Sequence, residues 1–300
     1  MKSITFATLL IPPFWERETL LLAESLRTFG GAMAEQPLVV LYLPDKPPPS
    51  KIANRLHALG AVLAPFKLDA DAVQFPLAIV PFGAATAEQY LTKQSEPTDL
   101  LAWMLPDTLI LTPPLDLDLP EAKKLGYRPV HHQNVGSEYA QPPDAFWQQI
   151  YAHCEVPPAH LFRMETCYRE VVRPYINAGL LVCRPQDGFM QTWLDVFRRT
   201  YQHPDFTPFY EQYKYAVFMH QAVLSGVMLN KYTPGQLAEL PESYNYPLHM
   251  HADYPEASRI HHLGELHTAR FENNQDLKNV LPKFDSDPQK IWIENFTGER

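Results

Sequence analysis

Apolar residues in this chain fall into short unbroken runs, separated by stretches where they recur every three or four positions. Ile4 to Leu10 is a β-rich apolar run that stops before Pro12, which predicts a buried strand. Leu22, Leu26 and Phe29 follow at i, i+4 and i+7, with Gly30-Gly31 as a stop, so a helix is predicted there. Leu38 to Leu43 is a second strand-like run. Ser50 is placed to cap a helix carrying Ile52, Leu56 and Leu59 and ending at Gly60. Ala61 to Phe66 reads as a third strand, Ala84 to Gln94 as a short helix and Leu100 to Met104 as a fourth strand. This alternation predicts parallel strands joined by right-handed crossovers, a sheet whose ligands bind at the carboxyl ends of the strands.

Beyond residue 113 the pattern loosens. Leu109 to Thr112 and Ala178 to Cys183 read as strands. Helices are predicted over Asp144 to His153, Phe189 to Tyr201 and Glu211 to Ser225, followed by a strand over Val227 to Tyr232. The tail after Phe271 is polar and shows no sustained periodicity. No internal repeat and no Gly/Ser linker interrupts the chain, and proline pairs such as Pro113-Pro114 and Pro157-Pro158 punctuate it as stiff loops.

Composition narrows the function classes. The 300 residues are 46% hydrophobic, enough for a packed core, and the net charge of −9 argues against a nucleic-acid partner, whose phosphates need a basic face. No apolar run is long enough to span a bilayer. Cys154, Cys167 and Cys183 form no CxxC pair, which fits reduced thiols in a cytoplasmic protein better than a disulfide framework or a thiolate zinc site. The apolar N-terminus imitates a weak signal peptide. However, Pro12-Pro13-Phe14-Trp15 stands where small cleavage-site residues belong, so it is read as the first strand. A GxGxxG fingerprint and a Walker A loop are both absent, which removes classical nicotinamide and P-loop chemistry. No HExxH-type pair supports a histidine-based metal hydrolase.

Five segments carry polar groups suited to chemistry. Asp107 follows the fourth strand, where an acid is placed to hold a cation on a diphosphate; alone it reads as a turn aspartate. Asn177 and Gly179 open a buried strand, where an amide reaches sugar hydroxyls and a glycine admits a ligand to the backbone; the simpler reading is an Asx turn. His220-Gln221 interrupts an apolar helix, and a satisfied buried histidine is at least as good an account as a functional one. Leu240 to Pro247 is a loop rich in aromatic and amide groups. His261, His262 and His267 form a dense imidazole segment suited to borderline metals, with His261 and Leu263 spaced as at a strand end.

The order of these segments resembles the GT-A fold glycosyltransferases, particularly the glycogenin-like group that uses nucleotide-diphosphate sugars. Leu105-Pro106-Asp107-Thr108-Leu109 stands where that group has Asp-x-Asp followed by Thr and a strand. Ile176-Asn177-Ala178-Gly179 stands for Phe-Asn-(Ser/Ala)-Gly, and His220-Gln221 for an Asp-Gln pair. Leu240 to Asn245 matches Leu-Pro-x-x-Tyr-Asn, and His261 to His267 stands for His-Phe-x-Gly-x-x-Lys. Three departures stand out: Leu105 replaces the first acid, His220 the helix Asp and His267 the closing Lys. The resemblance implies an α/β GT-A fold with a mixed, mostly parallel central sheet flanked by helices. It implies one domain over 1–270, with a nucleotide-binding half at 1–112 and a sugar/acceptor half at 113–270, and a tail at 271–300 packing on it. It implies that Asp107 and His261 hold Mn²⁺ or Mg²⁺, weakly if at all. Thr8, Trp15, Asp107, Asn177, Gly179, Gly264 and His267 would bind the donor, and His220 and Gln221 would serve the reacting face. A protonated His267 on the diphosphate would make activity sensitive to pH near neutrality. The implied partners are a UDP-sugar donor and an unknown acceptor. The competing reading is a non-catalytic nucleotide-sugar-binding protein, favoured by Leu105.

Overall fold

The computed structural model describes residues 2–256 and 259–298. In chain order the principal elements are β1 (Ile4–Leu10), α1 (Glu16–Phe29), β2 (Leu38–Tyr42), α2 (Ser50–Ala58), β3 (Ala61–Pro65), α3 (Ile79–Thr92), β4 (Leu100–Met104), β5 (Thr108–Ile110), β6 (Leu125–Pro129), α4 (Ala145–His153), β7 (Met164–Glu165), β8 (Val171–Val172), β9 (Ile176–Cys183), α5 (Phe189–Thr200), α6 (Tyr213–Lys231), β10 (Leu237–Glu239), β11 (Tyr246–Pro247), β12 (Thr268–Arg270), α7 (Asn274–Val280) and α8 (Pro288–Gly298). The central sheet is mixed and mostly parallel, with helices flanking it. The chain forms two compact units: residues 2–4, Phe66–Trp103 and Asp118–Glu239 make one, and Thr5–Pro65, Met104–Leu117 and the residues from 240 onward make the other.

In the unit that carries α1, strands β1, β2 and β3 run parallel, as their crossover helices require. Every residue of β1 is buried, which explains its continuous apolar run. Arg27 holds the segment together from inside. Its guanidinium donates to the carbonyls of Leu59, Ala34 and Gln36, satisfying the end of α2 and the turn after α1. Gly31 takes φ +55°, and a Cβ there would lie 2.5 Å from the Pro113 ring, so only glycine fits. A small sheet, in the order β11-β12-β5, lies in the same unit, with β12 antiparallel to β5.

In the other unit the strand order is β10-β6-β9-β4. Strand β6 is antiparallel to β9 and parallel to β10. Helix α5 starts after Gly188 in the left-handed region and has no capping side chain of its own. Glu88 of α3 supplies the acceptors instead, taking the amide hydrogens of Met190 at 3.0 Å and Gln191 at 2.8 Å.

Several expectations are corrected. Val227 to Tyr232 is not a strand, because α6 continues through Lys231. Its residues are buried nearly all round, which masks the helical period, and Gly226 does not break the helix: a Cβ there would lie 2.4 Å from Cys154 Sγ, so the glycine is a packing contact. Ser50 is the first residue of α2, with Pro49 at the cap position and no side-chain cap. Helix α3 begins at Ile79 rather than Ala84, β6 gave no recognised signal, and the tail contains α7 and α8. His261 and Leu263 lie outside any strand; residues 263–265 form a short 3₁₀ turn. The three cysteines are free and buried. Among the described residues no helix is long and apolar enough to cross a membrane.

Candidate functional site

Strand β4 is wholly buried and ends in the turn Leu105-Pro106-Asp107 before β5. The β5–β12 register pairs Thr108 with Arg270. That register brings the Arg270 guanidinium onto Asp107 Oδ2, and the Phe271 amide donates to the Asp107 carbonyl at 3.1 Å. Both side chains of the ion pair are 15% exposed. Asp107 Oδ1 and Arg270 Nε are buried without a hydrogen-bond partner, as are the hydroxyls of Thr108 and of Thr8 on β1. Nearby on α1, Glu18 is buried in the first helical turn. Its carboxyl is pushed above the usual range mainly by burial and further by the charge of Asp107, while the helix N-terminus works against the shift. His249 faces the same charges: burial lowers its pKa, Arg270 adds to the lowering, and Glu272, Asp276 and Asp107 oppose it.

The structure thus brings Asp107 to Arg270. His267 lies one residue past the Ile110–Thr268 pair, on the side away from Asp107, and its carbonyl accepts the Leu111 amide hydrogen at 3.0 Å. Three residues of extended chain, roughly 10 Å, separate His267 from Arg270 along the strand. The His267 ring stacks on Tyr244 with centroids 4.6 Å apart and its Nδ1 lies 2.8 Å from Ser243 Oγ; burial lowers its pKa. His261 is exposed and meets His251 edge-on at 6.1 Å. His251 has its own pKa lowered to about 4 by burial and by the positive neighbours Arg259, His261 and Lys283. The Gly264 amide donates to Asp287 Oδ2 at 3.0 Å, and its open side faces Gln289. Trp15 occupies the cap position of α1, next to Phe14, which is 74% exposed.

In the other unit, Asn177 Oδ1 accepts the Gly179 amide hydrogen at 2.7 Å, an Asx turn at the start of β9. Gln221 Oε1 accepts from the Ala178 amide at 2.9 Å, and Ser225, four residues on, accepts from the Ile176 amide. His220 Nδ1 lies 2.9 Å from the Val217 carbonyl, and the His220 carbonyl accepts from Trp193 Nε1. Burial lowers the His220 pKa to about 4, so the ring is neutral at pH 7. His220 and Gln221 therefore knit α6 to α5 and β9.

A divalent cation at Asp107 would meet a carboxylate whose Oδ2 is already on a guanidinium, a leucine at 105 and a histidine engaged with His251. Only Asp107 Oδ1 is left for it. These residues do not fit a tightly held Mn²⁺ or Mg²⁺. Arg270 and Glu18 were not anticipated from sequence. The available signals were an acid in the first turn after the first strand, and a lone cation two residues past Thr268.

A comparison with curated proteins finds no match. Among solved structures the chain is similar to the WbbM bifunctional glycosyltransferase, at 10% identity and a TM-score of 0.53, over 98% of this chain and 52% of that one. It thus spans about half the length of WbbM. It is also similar to the galactosyltransferase LgtC, solved with donor and acceptor sugar analogues, at 14% identity and a TM-score of 0.50, over 98% of this chain and 94% of that one. A third is GlyE of Streptococcus pneumoniae TIGR4, at 11% identity and a TM-score of 0.50, over 100% and 61%. Likeness at these identities shows the fold, which is GT-A. The family model of the Rhodobacterales glycosyltransferase domain matches residues 12–228, most of the chain, and the protein belongs to that family.

Proposed function

We propose that the protein transfers a sugar from a nucleotide-diphosphate donor, a UDP-sugar being the expected one, to an acceptor that its residues do not identify. In such a reaction the bond between the sugar and the diphosphate breaks, and negative charge collects on the leaving phosphate. The Asp107–Arg270 pair carries the reading. Arg270 offers a fixed positive charge that a phosphate oxygen can share, and its partnerless Nε–H is one donor still to be used. Asp107 orients the guanidinium from the other side. The exposed Phe14 and the half-buried Trp15, just after β1, offer stacking faces for a nucleobase. A cation is at most an accessory here. His220 and Gln221 position β9 and do not transfer protons. A cytoplasmic location belongs to the same reading and is supported by the free thiols.

The test is hydrolysis of UDP-sugars, and transfer to simple sugar acceptors, with chelator or with added Mn²⁺. Turnover should survive chelation and fall about 100-fold in Arg270→Ala, the scale for removing one charge-stabilising donor. Turnover that vanishes with chelator and returns with Mn²⁺ would restore the metal reading. A second reading is nucleotide-sugar binding without transfer, favoured by Leu105 and by the neutral, buried His220. Calorimetric UDP-sugar binding with neither hydrolysis nor transfer would select it.

A further inference from the structure

The geometry points to a divalent-metal site of the zinc class built from His153, His203 and Asp205, within the unit that carries β9. Each residue offers one ligand atom, and the three atoms lie within 4.8 Å of one another. His153 Nε2 is 2.8 Å from Asp205 Oδ2, and His203 Nδ1 is 3.4 Å from the same oxygen. Tetrahedral zinc, with bonds near 2.0–2.1 Å, holds its ligands about 3.3 Å apart, so these groups need only small shifts to close on an ion. The two imidazoles meet edge-on at 4.5 Å rather than stacking; His203 Nδ1 accepts the Asp205 amide hydrogen at 3.3 Å, a contact that an ion would replace.

The ligands come from two segments with fixed anchors. His153 is the last residue of α4. His203 and Asp205 sit in the turn after α5, where the His203 amide bonds the Thr200 carbonyl and the Phe206 amide bonds the His203 carbonyl. Phe206 is fully buried, with its ring against His153 and Phe146, so the turn is nailed to the core immediately after Asp205. Two helices, α4 and α5, thus end at this spot, and the negative ends of their dipoles favour a cation. Two imidazoles and one carboxylate select borderline metals such as Zn²⁺ over Mg²⁺ or Ca²⁺. All three ligand side chains keep partial exposure, which gives the ion an entry path and leaves a coordination position for water. A metal held there clips the end of α4 to the α5–α6 connection. It is independent of the donor site around Asp107.

The experiment uses the full chain without an affinity tag, stripped with chelator and titrated with Zn²⁺ by calorimetry and with Co²⁺ by visible absorption. The expected result is one saturable equivalent with micromolar or tighter affinity, a cobalt spectrum of low coordination number and a higher melting temperature. His153→Gln, His203→Gln and Asp205→Asn should each weaken binding at least 10-fold, whereas Asp107→Asn should keep it. Absence of a saturable equivalent, affinity unchanged in all three ligand variants, or binding lost only in Asp107→Asn would overturn the assignment. Circular dichroism of each variant checks that a loss of binding is not a loss of fold.

Discussion

Arg270→Met is the perturbation that most directly probes the site. It removes the guanidinium, keeps the apolar stem and leaves both Asp107 oxygens without a partner next to the buried Glu18. At an effective dielectric near 20, opposite charges about 4 Å apart attract by about 4 kcal/mol. With both side chains only 15% exposed, desolvation takes back a good part of that. The net coupling expected between Asp107 and Arg270 is therefore about 2 kcal/mol. The single variant also strands a carboxylate, so its cost should be about 3 kcal/mol, whereas Asp107→Asn/Arg270→Met should cost less than the two single changes added together. In a chain of 300 residues, 1 kcal/mol shifts the melting temperature by about 2 °C, so Arg270→Met should melt about 6 °C lower. Thermal unfolding of wild type, both single variants and the double variant completes the cycle. A coupling energy below about 0.5 kcal/mol would mean that the pair does not hold in solution and that Asp107 is free for a cation.

Other consequences can be checked the same way. The Glu18 carboxyl titrates higher folded than unfolded, so its charge costs stability above the folded value and costs nothing below the unfolded one. Glu18→Gln should therefore be more stable than wild type at pH 7 and equal to it near pH 4; a less stable variant at pH 7 defeats the account. His220, with its pKa lowered to about 4, resists protonation in the folded state but not in the unfolded one. It should withdraw about 3 kcal/mol as pH falls from about 6.5 to 4, and His220→Gln should flatten that decline in urea midpoints. A ring resonance from His220 that titrates near pH 6.5 in the folded protein would contradict this. Gly226→Ala gains about 1 kcal/mol in helix propensity but forces a methyl against Cys154, and should lose about 1–2 kcal/mol net. A higher melting temperature would show that the contact relaxes freely.

The first parallel strands and their crossover helices were readable because β1, β2 and β4 are buried almost throughout, which gives continuous apolar runs, and α1 and α2 repeat apolar residues at helical spacing. The end of α6 was not readable because burial on nearly every side erases the period, and the short apolar run Val227-Met228-Leu229 then reads as a strand. Helices α7 and α8 are short, and their polar surfaces dominate a sequence window. For the site, Asp107 was legible as an acid at a strand end, but its partner was not. Which cation meets Asp107 depends on the antiparallel register of β12 on β5, and a shift of three residues decides between Arg270 and His267. Glu18 was hidden for a similar reason, since an acid in a first helical turn has an ordinary explanation until its burial is known. Likewise, His153 and His203 are fifty residues apart, a separation no metal-spacing motif covers.

The carboxylate that Glu88 lends to the start of α5 has a consequence for how this unit assembles. A helix normally begins wherever its own neighbours can nucleate it, but the first turn of α5 waits for a side chain about a hundred residues earlier. Its opening amides should exchange with deuterium only when α3 detaches, so the protection of Met190 and Gln191 becomes a clock for the docking of two helices rather than for the fraying of one.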